Sequence, residues 1–125
     1  MATIMVPADN KVPNAIQEVL LELGVQPQLL GFNYIGYALN LLTVNKGTPF
    51  TMTKDLYPEI AKAFGTTSTR VERAIRHSVE KLFDTQDASD ISKYIGNVSD
   101  LSRGGVTNSQ LIAGLALYIQ RKAIA

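Results

Sequence analysis

The sequence contains no cysteine, only one histidine and no long apolar run. Without cysteine there is no disulfide framework, no thiolate metal site and no cysteine nucleophile, and this absence fits a reducing cytosol. No run approaches the roughly 18 apolar residues that a membrane span needs. The first residues also lack the basic segment and apolar core of a signal peptide. We therefore expect a cytoplasmic protein with no membrane partner.

The sequence also has little excess of positive over negative charge, since the formal net charge is only +1. This excludes a polybasic coat but allows a local basic face. Hydrophobic residues make up 46% of the 125-residue chain, which is typical of a globular domain with a core of its own. Residues 1–11 show no periodicity, so we predict a flexible arm at 1–11 and one helical domain over 12–125.

Apolar residues recur at helical spacing along the rest of the chain, and no segment has the period of a strand. The predicted fold class is all-α, with six or seven helices in a compact domain that contains a helix-turn-helix at about 57–83. A connection bracketed by Pro27 and Gly31 precedes a helix at about 32–44, which is apolar nearly all round. Such a helix indicates the buried centre of a bundle, and a dimer seam is the alternative. Another helix is predicted from Pro13 to Leu23, and a short one over 51–56 is predicted to break before Pro58. Further helices are predicted over 57–64, 68–83 and 88–95. The last helix begins at the capping box Thr107–Gln110 and runs to the end of the chain.

The segments 57–64 and 68–83 fit the steric requirements of a helix-turn-helix. Gly65 lies where the turn needs unusual torsion angles, and Ala61 is the small residue where the two helices touch. Ile60 and Phe64 are predicted to point inward from the first helix. The second helix has one apolar stripe, formed by Val71, Ala74, Ile75, Ser78, Val79 and Leu82.

The side of the second helix opposite this stripe carries three arginines, a lysine and the only histidine. Its members are Thr69, Arg70, Arg73, Arg76, His77, Glu80 and Lys81. A solvated charged face is the ordinary explanation of such a pattern. The preceding turn and the use of arginine, whose planar fork suits guanine and phosphate, favour DNA.

The position of each side chain along the second helix predicts whether it contacts bases or phosphates of DNA. Residues at the start of a recognition helix reach base edges, and later ones meet the backbone. Ser68 begins the helix, and we predict base reading by Thr69, Arg70, Glu72 and Arg73, and phosphate contacts by Arg76, His77 and Lys81. Glu72 has the alternative of a capping-box partner of Thr69. We also expect phosphates to meet Arg103 and the N-terminus of the last helix at Asn108. There is no paired-carboxylate site and no glycine-rich phosphate loop, so we predict neither an enzyme nor a cofactor.

Two segments resemble the C-terminal DNA-binding domain of the sporulation response regulators of the stage zero sporulation protein A family. They are 56–62, LYPEIAK, and 66–77, TTSTRVERAIRH, and the similarity runs from about Leu23 to the end of the chain. The resemblance implies a six-helix domain of Gram-positive spore-formers that regulates transcription at boxes with a TGTCGAA-like core. It implies base contacts from Arg70, Glu72 and Arg73 and backbone contacts from Arg76 and His77. It also implies head-to-tail homodimers on tandem boxes and contact with the RNA polymerase sigma factor.

The sequence departs from this family in two respects. Family members carry a receiver domain, for which the 125 residues have no room, so we expect a stand-alone homologue, as on a phage or mobile element, or an excised fragment. Leu117 and Tyr118 also stand where the family has charged residues of the last helix. The alternatives to a transcription regulator are a phage or plasmid replication or partition factor, and a helical adaptor that binds protein through Leu117 and Ile124.

Overall fold

The computed structural model describes residues 5–96 and 106–124, with the side chains of residues 123 and 124 excluded. Within these ranges all regular secondary structure is helical and there is no strand. Its elements are α1 (Asn14–Leu23), α2 (Leu30–Val44), a π-helical turn (Met52–Leu56), α3 (Tyr57–Phe64), α4 (Ser68–Thr85), α5 (Ala88–Ile95) and α6 (Asn108–Ile124). The predicted all-α class is confirmed. No helix of the described part is long and apolar enough to span a bilayer.

Helix α2 forms the centre of the domain and packs against α1, α3, α4 and α6. Most of its apolar side chains are buried within the chain, among them Tyr34, Ile35, Tyr37, Leu39 and Leu41, while Val44 at its end is exposed. The prediction of a buried central helix is therefore confirmed. The alternative of a dimer seam is wrong for these side chains, because the chain's own helices already cover them.

Gly31 lies inside α2, although the sequence suggested that it closed a connection. The helix begins at Leu30, and Gly31 is buried against α4. A Cβ atom at Gly31 would lie 2.5 Å from the carbonyl oxygen of Ala74 and would overlap the hydroxyl of Ser78. The glycine is present because the backbones of α2 and α4 approach closely, which fixes the position of α4 on the core.

The predicted break before Pro58 is wrong. Tyr57 keeps right-handed helical torsion angles (φ −59°, ψ −44°), and the π-helical turn continues directly into α3. Pro58 lies in the first turn of α3, where its fixed φ suits the helix. Thr51 caps the turn, since its N–H donates to Asp55 Oδ2 at 2.7 Å and its hydroxyl accepts from Lys54 N at 3.3 Å.

The capping box predicted at the start of the last helix is present. The N–H of Thr107 donates to Gln110 Oε1 at 2.9 Å, and the N–H of Gln110 donates to the Thr107 hydroxyl at 3.1 Å. The inward stripe of α6 is buried at Leu111, Ile112 and Leu115. Helix α6 packs against α2, α4 and α5.

The described part of the N-terminal arm, from Met5, lies on the helical body. The backbone of Met5 exchanges two hydrogen bonds with the side chain of Asn45, at 2.6 and 2.8 Å. The Asn10 side chain donates to the carbonyl oxygen of Ala63 at 3.2 Å. The arm therefore contacts the end of α2 and the end of α3.

Candidate nucleic-acid interface

A tight turn joins α3 to α4. Helix α3 ends at Phe64, and the next residue, Gly65, adopts the left-handed conformation (φ 65°, ψ 40°) that favours glycine. The N–H groups of Gly65 and Thr66 both donate to the carbonyl oxygen of Ala61, which is buried. Thr67 then caps α4, because its hydroxyl accepts from Arg70 N at 3.2 Å. The turn predicted from Ala61 and Gly65 is confirmed.

Helix α4 is anchored through one side. Its buried residues are Val71, Ile75, Ser78, Val79 and Leu82, as the apolar stripe predicted, and Ala74 is half-buried. Helix α3 is anchored beside it through Phe64, whose ring makes edge-to-face contacts with Tyr34 and Tyr37 at centroid distances of 5.1 and 5.6 Å. Helices α3 and α4 therefore pack against each other and against α2.

The opposite side of α4 faces solvent. The exposed α4 face consists of Thr69, Arg70, Arg73, Arg76, His77, Glu80 and Lys81, while Ser68 and Glu72 are half-buried at its edge. At a rise of 1.5 Å per residue, the cations from Arg70 to Lys81 extend over about 16 Å of helix. The major groove of DNA admits one α-helix, so a helix with an exposed cationic side suits it.

Arg76 lies between two glutamates on this face. Its Nη1 is 3.1 Å from Glu72 Oε1, and its Nε is 4.0 Å from Glu80 Oε1. Exposed pairs of this kind contribute little to stability, about 0.2–1 kcal/mol. Their effect is local, because they hold the Arg76 guanidinium along the helix and partly neutralise its charge. Arg70, Arg73 and Lys81 have no ion-pair partner within the described residues.

Glu72 does not form a capping box with Thr69, so that alternative is wrong. The cap of α4 is Thr67, two residues earlier, and the hydroxyl of Thr67 binds the N–H of Arg70. The carboxylate of Glu72 is instead paired with Arg76 and is one-third exposed. It therefore remains at the edge of the exposed α4 face, close to Arg73.

Asn108 was predicted to lie at a DNA contact, but its side chain is not on the surface. It is buried, and its Nδ2 donates to Tyr57 Oη at 3.0 Å and to the backbone carbonyl oxygen of Glu72 at 3.2 Å. Burial raises the pKa of the Tyr57 phenol; the Asn108 hydrogen bond lowers it, the Glu72 carboxylate raises it and Arg76 lowers it. We call this set of hydrogen bonds among Tyr57, Asn108 and Glu72 the Asn108 bridge.

Sequence reasoning missed the Asn108 bridge. Tyr57 and Asn108 are 51 residues apart, and no local pattern predicts a contact at that separation. The one available signal was an amide side chain directly after the capping residue Thr107, at a position that turns toward the core.

The other residues singled out from the sequence do not lie on the exposed α4 face. Arg103 falls outside the described residues, as does the side chain of Ile124. Leu117 is 52% exposed on α6. Tyr118 packs on Tyr94 at a centroid distance of 4.9 Å and lies under the ammonium group of Lys122. Within 5–96 and 106–124, no cluster of three acidic or histidine side chains is arranged to hold a metal ion.

Two helices, α3 and α4, are joined by a tight turn, and the second presents arginines to solvent while the first packs beside it. This arrangement is that of a helix-turn-helix DNA-binding domain. Residues 16–119 match the family model described as Sporulation initiation factor Spo0A C terminal. The chain belongs to this family of DNA-binding transcription factor domains, and the resemblance predicted from the sequence is confirmed.

Proposed function

We propose that the chain is a sequence-specific regulator of transcription in the cytoplasm, which reads a TGTCGAA-like box by placing the first turns of α4 in the major groove. The observation that carries this proposal is the exposed α4 face, where Arg70 and Arg73 lie one turn apart directly after the cap of the helix. Neither arginine is engaged by a carboxylate of the described residues. Both forks are therefore available to bind guanine O6 and N7.

The base-reading set is Thr69, Arg70, Glu72 and Arg73. The Glu72 carboxylate keeps lone pairs free beyond its bond to Arg76 and can accept a hydrogen bond from cytosine N4. Ser68 is half-buried at the start of α4 and would enter the major groove beside these residues. A box rich in guanine and cytosine at its centre matches this set of side chains.

The phosphate-binding set is Arg76, His77 and Lys81. They follow the readers by one to three turns on the same exposed face. Contacts at this distance from the start of the helix set register and affinity and carry no sequence information. Arg103 would join them as a further phosphate contact.

A selection of bound duplexes from random DNA tests the proposal. We expect the wild-type chain to enrich one consensus that contains the TGTCGAA-like core, because four side chains of fixed spacing meet successive bases. The matched control is Arg73→Ala, a change at an exposed residue, which should enrich sites that have lost preference at one base pair. Enrichment of no consensus by the wild-type chain would contradict the proposal and favour a non-specific replication or partition factor.

The same proposal includes two protein contacts. Two copies would bind tandem boxes head to tail, and an activator would also contact the RNA polymerase sigma factor. The support for the contact between copies is Leu117, an apolar side chain that α6 leaves 52% exposed. The sigma-factor contact rests on the family resemblance alone. Titration of one-box and two-box DNA tests the first contact, since cooperative filling is expected and independent filling would contradict it.

A further inference from the structure

The side chain of Asn108 uses both of its N–H bonds inside the protein. One donates to the phenol oxygen of Tyr57 and the other to the carbonyl oxygen of Glu72. The nitrogen of the amide must face Glu72, because a backbone carbonyl can only accept. A helical carbonyl oxygen has a second lone pair, so this bond adds to the hydrogen bonding of α4 without replacing any of it.

The bridge joins three helix segments at one buried point. Tyr57 is the first residue of α3, Asn108 is the first residue of α6, and Glu72 lies in the second turn of α4. Tyr57 and Asn108 are only 8% and 9% exposed, so water does not readily replace these hydrogen bonds. The bridge therefore acts on the turn of α4 that carries the proposed base readers.

We infer that Asn108 and Tyr57 are positioning residues for DNA recognition, which hold the Glu72 turn of α4 at the depth needed to read bases. This inference rests on the proposed function. The side chain of Asn108 acts from behind the recognition helix, in contrast to the direct DNA contact predicted from the sequence.

The expected size of the effect follows from the hydrogen bonds. Each contributes a net amount that corresponds to about a twofold to tenfold change in an equilibrium constant. If the bonds are lost, α4 samples other positions, and the apparent Kd for the box rises as the competent fraction falls. Binding to random DNA depends mainly on phosphates and tolerates small displacements of the helix, so it should change by less than about twofold.

The experiment compares Tyr57→Phe, Asn108→Ala and the double variant with the wild-type chain. The Kd is measured by fluorescence anisotropy on a duplex with the selected consensus and on a scrambled duplex, with each variant shown to be folded by circular dichroism. The control is Gln110→Ala. It removes a hydrogen bond from the same end of α6, at an exposed residue whose side-chain hydrogen bond is to Thr107.

We expect Asn108→Ala to raise the consensus Kd about tenfold and Tyr57→Phe about threefold, with the scrambled Kd nearly unchanged. The double variant should lose no more than Asn108→Ala, since that substitution already removes both bonds. Gln110→Ala should lower the urea midpoint but keep the ratio of the two Kd values.

Unchanged ratios for Tyr57→Phe and Asn108→Ala would overturn the inference, as would losses that add in the double variant. Should Asn108→Ala fail to fold, Tyr57→Phe decides alone, because it removes one hydroxyl. A wild-type chain that binds both duplexes equally would instead show that the proposed function is wrong.

Discussion

Single residues of the exposed α4 face differ in what they contribute to binding. Arg73 lies one turn into the helix, and Lys81 lies two turns beyond it on the same side. We expect Arg73→Ala to cost about 1–3 kcal/mol on the consensus and to relax preference at one base pair. We expect Lys81→Ala to weaken binding to all sequences alike and to reduce the salt slope by about 1.

Fluorescence anisotropy with the consensus and with duplexes mutated at each position measures both effects. The two variants control for each other, because each removes one exposed cation from the same helix. Equal losses for both variants on consensus and random DNA would show that the division into base readers and phosphate contacts is wrong.

Glu80 is the residue of this face that opposes DNA. It is 65% exposed, approaches Arg76 at 4.0 Å and repels any phosphate that Arg76 binds. We expect Glu80→Gln to strengthen binding to random DNA by about threefold at low salt, because it removes a negative charge and leaves Arg76 less neutralised. The gain should shrink at high salt. Glu18→Gln, the same change of charge at an exposed residue of α1, is the control, and an equal gain from it would contradict a specific role for Glu80.

At the scale of the elements, the contact between α2 and α4 leaves no room for a methyl group at Gly31. We expect Gly31→Ala to lower the free energy of unfolding by about 1–3 kcal/mol, since a Cβ would meet the Ala74 carbonyl and the Ser78 hydroxyl. Ser78→Ala alone should cost little, because that buried hydroxyl has no hydrogen-bond partner within the described residues.

Urea unfolding of the two single variants and the double variant measures this contact. Ser78→Ala should rescue part of the loss, since it removes one of the two groups that the new methyl would meet. A Gly31→Ala variant as stable as the wild-type chain would show that α2 and α4 are not in close contact.

The elements also show which features sequence could predict. The limits of α3 and α5, the left-handed turn at Gly65 and the cap at Thr107 follow from local chemistry, and the structure has each of them as expected. The exposed side of α4 follows from its periodicity. Gly31, the continuous helix through Pro58 and the Asn108 bridge were not predictable, because each depends on which distant residue packs against the segment.

At the scale of the whole molecule, buried tyrosines link stability to alkaline pH. Burial raises the pKa of Tyr37, and the carboxylates of Glu59 and Asp9 raise it further. Burial also raises the pKa of Tyr57. Above about pH 10 the unfolded chain releases phenolic protons that the folded chain retains, so the free energy of unfolding falls as pH rises.

Urea unfolding at about pH 8 and about pH 10.5 measures this dependence. We expect the wild-type chain to lose stability between the two values and Tyr37→Phe to lose less, because one phenol with a raised pKa is absent. Tyr34→Phe is the control, since it removes a phenol from the same helix and keeps an aromatic ring against Phe64. Identical losses in the wild-type chain and Tyr37→Phe would contradict a role for the Tyr37 phenol.

The central claim is that the whole domain serves to present α4 to the major groove of a specific site. The most direct test is the salt dependence of the Kd for a consensus duplex and a scrambled duplex. If α4 and its neighbours meet about four to six phosphates, log K should fall with log[salt] at a slope of roughly −3.5 to −5.5, with the consensus bound more tightly throughout. A slope near zero, or equal affinity for the two duplexes at every salt concentration, would contradict the claim.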